Sequence, residues 1–111
     1  MLEKELQRAV VDLARYSGWR VHHTRTVNMA GGGWTSPGLD KGFPDLVLVG
    51  HRRIIFAELK TDRGQTTYEQ KGWLDAIARA GAECYIWRPR DWAHIVEVLQ
   101  PVRSHVKPQE N

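Results

Sequence analysis

Asp45, Glu58 and Lys60 are the residues whose types and spacing could do chemistry together. Asp45 opens one apolar run, residues 46–49, while Glu58 and Lys60 close a second, residues 54–59. A short polar segment containing Gly50 separates the runs, and that is how a β-hairpin reads in sequence. A turn centred between His51 and Arg52 places Asp45 directly opposite Glu58. Cross-strand neighbours have Cβ atoms about 5 Å apart, so both carboxylates can reach one hard divalent cation at about 2.1 Å. Strand alternation puts Lys60 on the same face as Glu58. The acids suit Mg²⁺ or Mn²⁺, which lowers the pKa of a coordinated water, and the lysine can orient that water and offset charge building on a phosphate. The plainer reading is a hairpin with solvated, charged ends.

The wider segment gives the pattern more specificity. Pro44-Asp45, twelve intervening residues and then Glu58-Leu59-Lys60 resemble the PD-(D/E)xK nuclease superfamily. With Gly42-Phe43 before the motif and residues 64–73, GQTTYEQKGW, after it, the resemblance narrows to the small, stand-alone, virus-type VRR-NUC domain. It extends over roughly residues 2–99. The resemblance implies that Asp45 and Glu58 bind metal, that the Leu59 carbonyl is a further ligand, that Lys60 is catalytic and that Gln70 joins the site. It also implies a glutamate near the start of the first helix. Glu3 and Glu5 are both available, and Glu3 is preferred because it lies one turn from Gln7 beside the apolar stripe, whereas Glu5 falls toward a polar side. The products implied end in 5′-phosphate and 3′-hydroxyl.

Composition sets the outer bounds. The 111 residues make one domain, with residues 1–100 as the nuclease-like unit and 101–111 as a polar tail. A 41% hydrophobic and 26% charged balance argues against intrinsic disorder. The net charge of +3 permits a polyanionic partner without requiring one. Cys84 is the single cysteine, which rules out an intramolecular disulfide and a cysteine-built zinc site. No apolar run approaches membrane-spanning length and the first residues are acidic rather than signal-like, so a cytoplasmic location is expected, in a bacterium or a phage-infected cell by the resemblance.

The elements that must hold the three residues follow from periodicity. Leu2, Leu6, Ala9, Val10 and Leu13 predict a helix over residues 2–17 that Gly18 ends. Trp19, Val21 and His23 alternate with polar residues as a first strand, on which His22 and His23 point to opposite faces and cannot chelate together. Residues 26–41, rich in Gly with Ser and Pro, read as a long substrate-facing loop. Gly31-Gly32-Gly33 lacks the Lys-Ser/Thr of a phosphate loop, and Trp34 either stacks on a base or folds back on the core. The strand at residues 54–59 is apolar on both faces and should be central and covered on both sides. Thr67 and Gln70 form a capping box for a second helix with Trp73, Leu74, Ile77 and Ala80 inward and Gly81 at its end. Residues 84–87 form a fourth strand reached by a parallel crossover, and a last helix runs from Asp91 to Leu99.

The order is therefore α-β-β-β-α-β-α, an α/β fold with a mixed sheet flanked by helices, the core the resembled superfamily uses. The expected function is Mg²⁺-dependent hydrolysis of DNA, with Mn²⁺ able to substitute. By the resemblance the substrate is branched, a four-way junction cut by a homodimer, with Trp92 and Val96 on the last helix as a candidate dimer surface. A flap or duplex nicking endonuclease and a catalytically silent DNA-binding module are the alternatives, and a purely structural oligomerisation domain is disfavoured because the apolar stripes are used by the core. Arg52, Arg53, Arg88, Arg90 and Lys71 are the basic residues available for phosphates.

Overall fold

The hairpin register expected from period-two alternation sets the centre of the molecule. The computed structural model describes residues 1–24, 27–28, 34–35 and 41–100. In chain order these form α1 (Glu3–Tyr16), β1 (Arg20–His23), β2 (Val27–Asn28), β3 (Trp34–Thr35), β4 (Leu46–Gly50), β5 (Arg53–Leu59), α2 (Tyr68–Arg79), β6 (Glu83–Trp87) and α3 (Trp92–Leu99). A mixed sheet runs β1-β4-β5-β6. Its first three strands are antiparallel and β6 lies parallel to β5, reached across α2. Leu46 faces Ala57 and Gly50 faces Arg53 across the hairpin. Continued by one residue, that register sets Asp45 against Glu58.

Leu46 and Leu48 on β4 and Ile55, Ala57 and Leu59 on β5 point to one side of the sheet. There they pack with Leu6, Val10 and Ala14 of α1 and Ile95 and Leu99 of α3 in a single fully buried cluster. Truncating any one of these leucines to alanine should cost about 2–5 kcal/mol, because the surrounding side chains close the cavity only in part. Leu2 is not among them. It is 66% exposed and serves as the N-cap of α1 rather than the first residue of its stripe.

The opposite side is covered by α2, with Phe43 set edge-on to Phe56 and Trp73. This cover stops short of the turn, so Ile54 is 52% exposed, and β5 is central but not covered on both sides along its whole length. The turn has positive φ at both His51 (50°) and Arg52 (63°), the two-residue geometry whose twist matches a right-handed hairpin. His51 offsets that conformation by donating from Nε2 to the Ser17 carbonyl at 2.7 Å and packing edge-on against Trp19.

Residues 26–41 are not one continuous loop, since β2 and β3 pair antiparallel as a two-stranded ribbon. Two-residue strands carry too few alternations to be read from sequence. The flap role of this segment, the contacts of the Trp34 side chain, the three glycines at 31–33 and the tail 101–111 lie outside the described residues.

Candidate active site

Asp45 is positioned by the three residues before it. Gly42 has φ +89°, a conformation L side chains rarely adopt, and a Cβ there would lie 2.6 Å from the Glu69 carbonyl carbon and 2.8 Å from the Gln70 nitrogen. The chain thus passes directly against the first turn of α2. Phe43 then fills the space between Phe56 and Trp73, and Pro44 is buried, its carbonyl accepting from the Thr24 hydroxyl at 2.8 Å. The Asp45 carbonyl accepts from Thr24 N–H, and its Oδ2 accepts from Leu59 N–H, each at 2.8 Å. Asp45 is therefore bound both to Thr24, the residue that follows β1, and to the end of β5.

Glu58, only 2% exposed, is the one buried charged residue among those described. Its Oε2 accepts from Gln70 Nε2 at 2.8 Å and lies 3.6 Å from Lys60 Nζ, whereas its Oε1 is buried with no partner. Burial, then the charge of Asp45, pushes its pKa up to about 8, with Glu3 adding to the rise and Lys60 opposing it. Asp45 is also raised by burial, against the Leu59 N–H, Lys60, His23 and a hydrogen bond with Glu58 itself. Both carboxyl groups are thus shifted toward the neutral form, by burial first and, at Glu58, by the neighbouring charge of Asp45 next.

Gln70 reaches Glu58 because of the cap of α2. Thr67 Oγ1 accepts from Gln70 N–H at 3.1 Å, and Gln70 Oε1 accepts from Thr67 N–H at 2.8 Å. With its oxygen committed to Thr67, the carboxamide has only its NH₂ to offer Glu58. The cap and the site contact are thus one arrangement rather than competing roles.

Lys60 is held through its backbone, which donates to the Trp87 carbonyl at 3.0 Å at the end of the parallel ladder. The next turn is fixed by Arg88, whose Nη1 donates to the Thr61 and Gly64 carbonyls at 2.7 Å each. Arg90 binds Asp62 through its backbone N–H and its guanidinium. Arg53 makes a two-pronged pair with Glu83 at 2.7 Å, donates to the Val98 carbonyl and lies over the Trp19 ring. Arg53 and Arg88 are half-buried and make these contacts within the fold, whereas Arg90 makes its contacts with Asp62 at an exposed position. Arg52 and Lys71 remain exposed.

The two glutamates of α1 separate clearly. Glu5 accepts from Leu2 N–H at 2.8 Å and closes the helix cap. Glu3 has its pKa raised by partial burial and then by the charge of Asp45, with Lys60 opposing, which places it within the field of the acid pair. Among the described residues, no three His, Cys, Asp or Glu side chains converge closely enough to hold a metal ion. The donor set on offer is accordingly an acid pair with the adjoining Leu59 backbone, and Mg²⁺ is a cation that keeps several waters and takes one or two carboxylates. The orphaned Glu58 Oε1 fits such a group, because a buried acceptor without a partner is otherwise a net cost.

Sequence reasoning missed Thr24, Gly42 and Arg88 as residues that position the acids and the lysine. Only Gly42 carried a local signal, being a glycine beside the motif. Among the described residues, no helix is long and apolar enough to cross a membrane.

No protein-family profile matches the chain, and no curated protein matches it by sequence. A solved structure described as a VRR_NUC domain protein superposes with a TM-score of 0.61 at 20% identity, covering 93% of this chain and 89% of that one. The mixed sheet, its flanking helices and the acid pair at the end of the hairpin are thus set in a fold similar to that of a VRR_NUC domain.

Proposed function

We propose that this chain is a divalent-metal-dependent endonuclease that hydrolyses DNA phosphodiester bonds. The observation that carries the reading is the buried, unpartnered Oε1 of Glu58, on a carboxylate that neighbours Asp45 and whose other oxygen, Oε2, lies 3.6 Å from Lys60 Nζ. Asp45, Glu58 and the Leu59 carbonyl would hold Mg²⁺, with Mn²⁺ as a substitute. Bound there, the ion supplies Lewis-acid polarisation of the phosphodiester and an acidified water.

The chain's own residues supply the rest. The Lys60 side chain is 12% exposed, so its ammonium is screened little by solvent and can orient an attacking water and offset negative charge developing on the phosphate. Gln70 holds Glu58 in one rotamer and leaves Oε1 free to act as a ligand. Glu3, in the first turn of α1 and within the field of Asp45 and Lys60, would accept a proton or a hydrogen bond from a water there. By the resemblance of the motif, the products would end in 5′-phosphate and 3′-hydroxyl.

A branched substrate is the finer part of the proposal. One 111-residue chain with one acid pair cuts one strand, and resolving a four-way junction takes two symmetric cuts, which a two-fold homodimer supplies. Trp92, 38% exposed on α3, and the half-buried Val96 offer a surface for pairing. Plasmid nicking in Mg²⁺ with and without EDTA tests the hydrolysis. Light scattering and a junction-cleavage gel test the assembly. A monomer that nicks linear duplex as readily as a junction would remove the branched-substrate reading and leave the nuclease in place, whereas binding without cleavage would mark a silent DNA-binding module.

A further inference from the structure

The side of the sheet that carries Asp45 and Glu58 is only partly roofed by α2. Cross-strand partners share a face, so the pairs Arg20–Val49 and His22–Val47 set both β1 side chains on this side, in line with Asp45, Val47 and Val49 of β4. Ile54 of β5 pairs with Val49 and completes the outer row. Arg20 and His22 are exposed, as are Val49 (44%) and Ile54 (52%), so this strip of sheet is open to solvent from the hairpin turn toward the acids. Measured along the strand from the level of Asp45, His22 lies about 7 Å away and Arg20 about 14 Å.

Arg52 supplies an independent observation. It sits in the turn at the head of the strip with a φ of 63°, and the second position of such a turn favours glycine. His51 beside it is compensated by its bond to the Ser17 carbonyl, whereas Arg52 is exposed and its side chain takes part in no hydrogen bond or ion pair among the described residues. The fold does not account for an arginine held there. Arg20 and His22 are likewise without such partners, in contrast to Arg53 and Arg88. The described strands carry no acid on this side beyond Asp45 and Glu58, since Glu83 pairs with Ile55 on the other face and binds Arg53. Of the acids on α2, Asp75 is paired with Arg79 at 3.0 Å and Glu69 lies against Gly42.

We infer that this strip is the track for the sugar-phosphate backbone of the DNA strand that enters the acid pair, with phosphates on His22, Arg20 and Arg52 in turn. The inference rests on the proposed nuclease reading and adds the orientation of its substrate, which lies along β1 and β4. Continuity and charge both decide the occupant. The alternation that puts Asp45 on this face puts Val47 and Val49 there too, and the groups bordering them are two guanidinium cations and an imidazole that can donate to phosphate. Because these contacts reach backbone oxygens only, the track adds affinity without sequence preference.

The test is fluorescence anisotropy of labelled duplex and forked oligonucleotides in EDTA across a salt series, where binding is read without cleavage. Arg20→Gln should weaken binding several-fold and lower the slope of log affinity against log salt by about one, while Arg20→Lys should keep the slope. His22→Ala, which removes a donor, should also weaken binding several-fold. Arg52→Gly should weaken binding and lower the slope as Arg20→Gln does, without lowering Tm, because glycine relieves the positive φ. Arg8→Gln, which removes a charge from α1 on the opposite side of the sheet, should change neither affinity nor slope. Wild-type affinity and slope in both Arg20→Gln and Arg52→Gly, or an equal loss in Arg8→Gln, would overturn the inference. A wild type that binds through these residues yet fails to cleave in Mg²⁺ would support the track and count against the nuclease reading instead.

Discussion

Gln70 and Glu58 are joined by a 2.8 Å hydrogen bond from Nε2 to Oε2, and the same carboxamide accepts from Thr67 N–H. A single side chain therefore couples the start of α2 to the buried acid at the end of β5. Replacing Gln70 by glutamate keeps an acceptor for the cap and removes the donor to Glu58. We expect Gln70→Glu to lower stability at pH 8 more than Gln70→Ala, which loses the cap contact for about 1 kcal/mol but adds no charge. Denaturant unfolding of both variants measures this. Equal losses would show that the cap alone matters.

Glu58 makes the metal-free protein pH-sensitive. Its folded pKa is raised from an ordinary 4.5 to about 8, so its native state binds more protons than the unfolded chain in that interval. Its contribution is complete below about pH 4.5 and is lost as pH rises through about 8. In EDTA, Glu58→Gln should therefore stabilise the fold at pH 9 by on the order of a few kcal/mol and change it little at pH 4. Thermal melts across this range decide it, and a variant less stable than wild type at pH 9 would contradict the assignment.

Gly42 should tolerate no side chain. Positive φ alone costs a non-glycine residue about 1–2 kcal/mol, and the added Cβ would press on the backbone of Glu69 and Gln70. Gly42→Ala should lower stability by more than about 2 kcal/mol and shift the segment leading into Asp45 away from α2, reducing activity beyond the fraction unfolded. Circular dichroism with single-turnover cleavage checks both effects.

Lys60→Ala removes the cation nearest Glu58 and leaves the acid pair intact. DNA affinity should persist within a few-fold while cleavage falls by orders of magnitude. Parallel falls in binding and cleavage would reduce Lys60 to a phosphate contact.

The hairpin was legible because its alternation and two-residue turn fix the register, and register alone sets Asp45 against Glu58. The Thr67–Gln70 cap was legible because it spans three residues. What stayed hidden depends on partners far along the chain. Arg53 read as a surface charge, yet Glu83 binds it 30 residues later, and Arg88 serves carbonyls of Thr61 and Gly64 that no side-chain pattern marks. Ile54 read as covered because apolar residues fill both faces of β5, but periodicity does not say where α2 ends its reach over the sheet. The choice between Glu3 and Glu5 needed the turn of α1 relative to the sheet edge, which a helical wheel leaves open.

The central claim is that Asp45 and Glu58 together hold the catalytic divalent ion, and calorimetric titration of Mn²⁺ into the metal-free protein tests it most directly. The account predicts weak, near-stoichiometric binding by the wild type and none by Asp45→Asn or Glu58→Gln, although Glu58→Gln is at least as well folded. Unchanged Mn²⁺ affinity in both variants would contradict it.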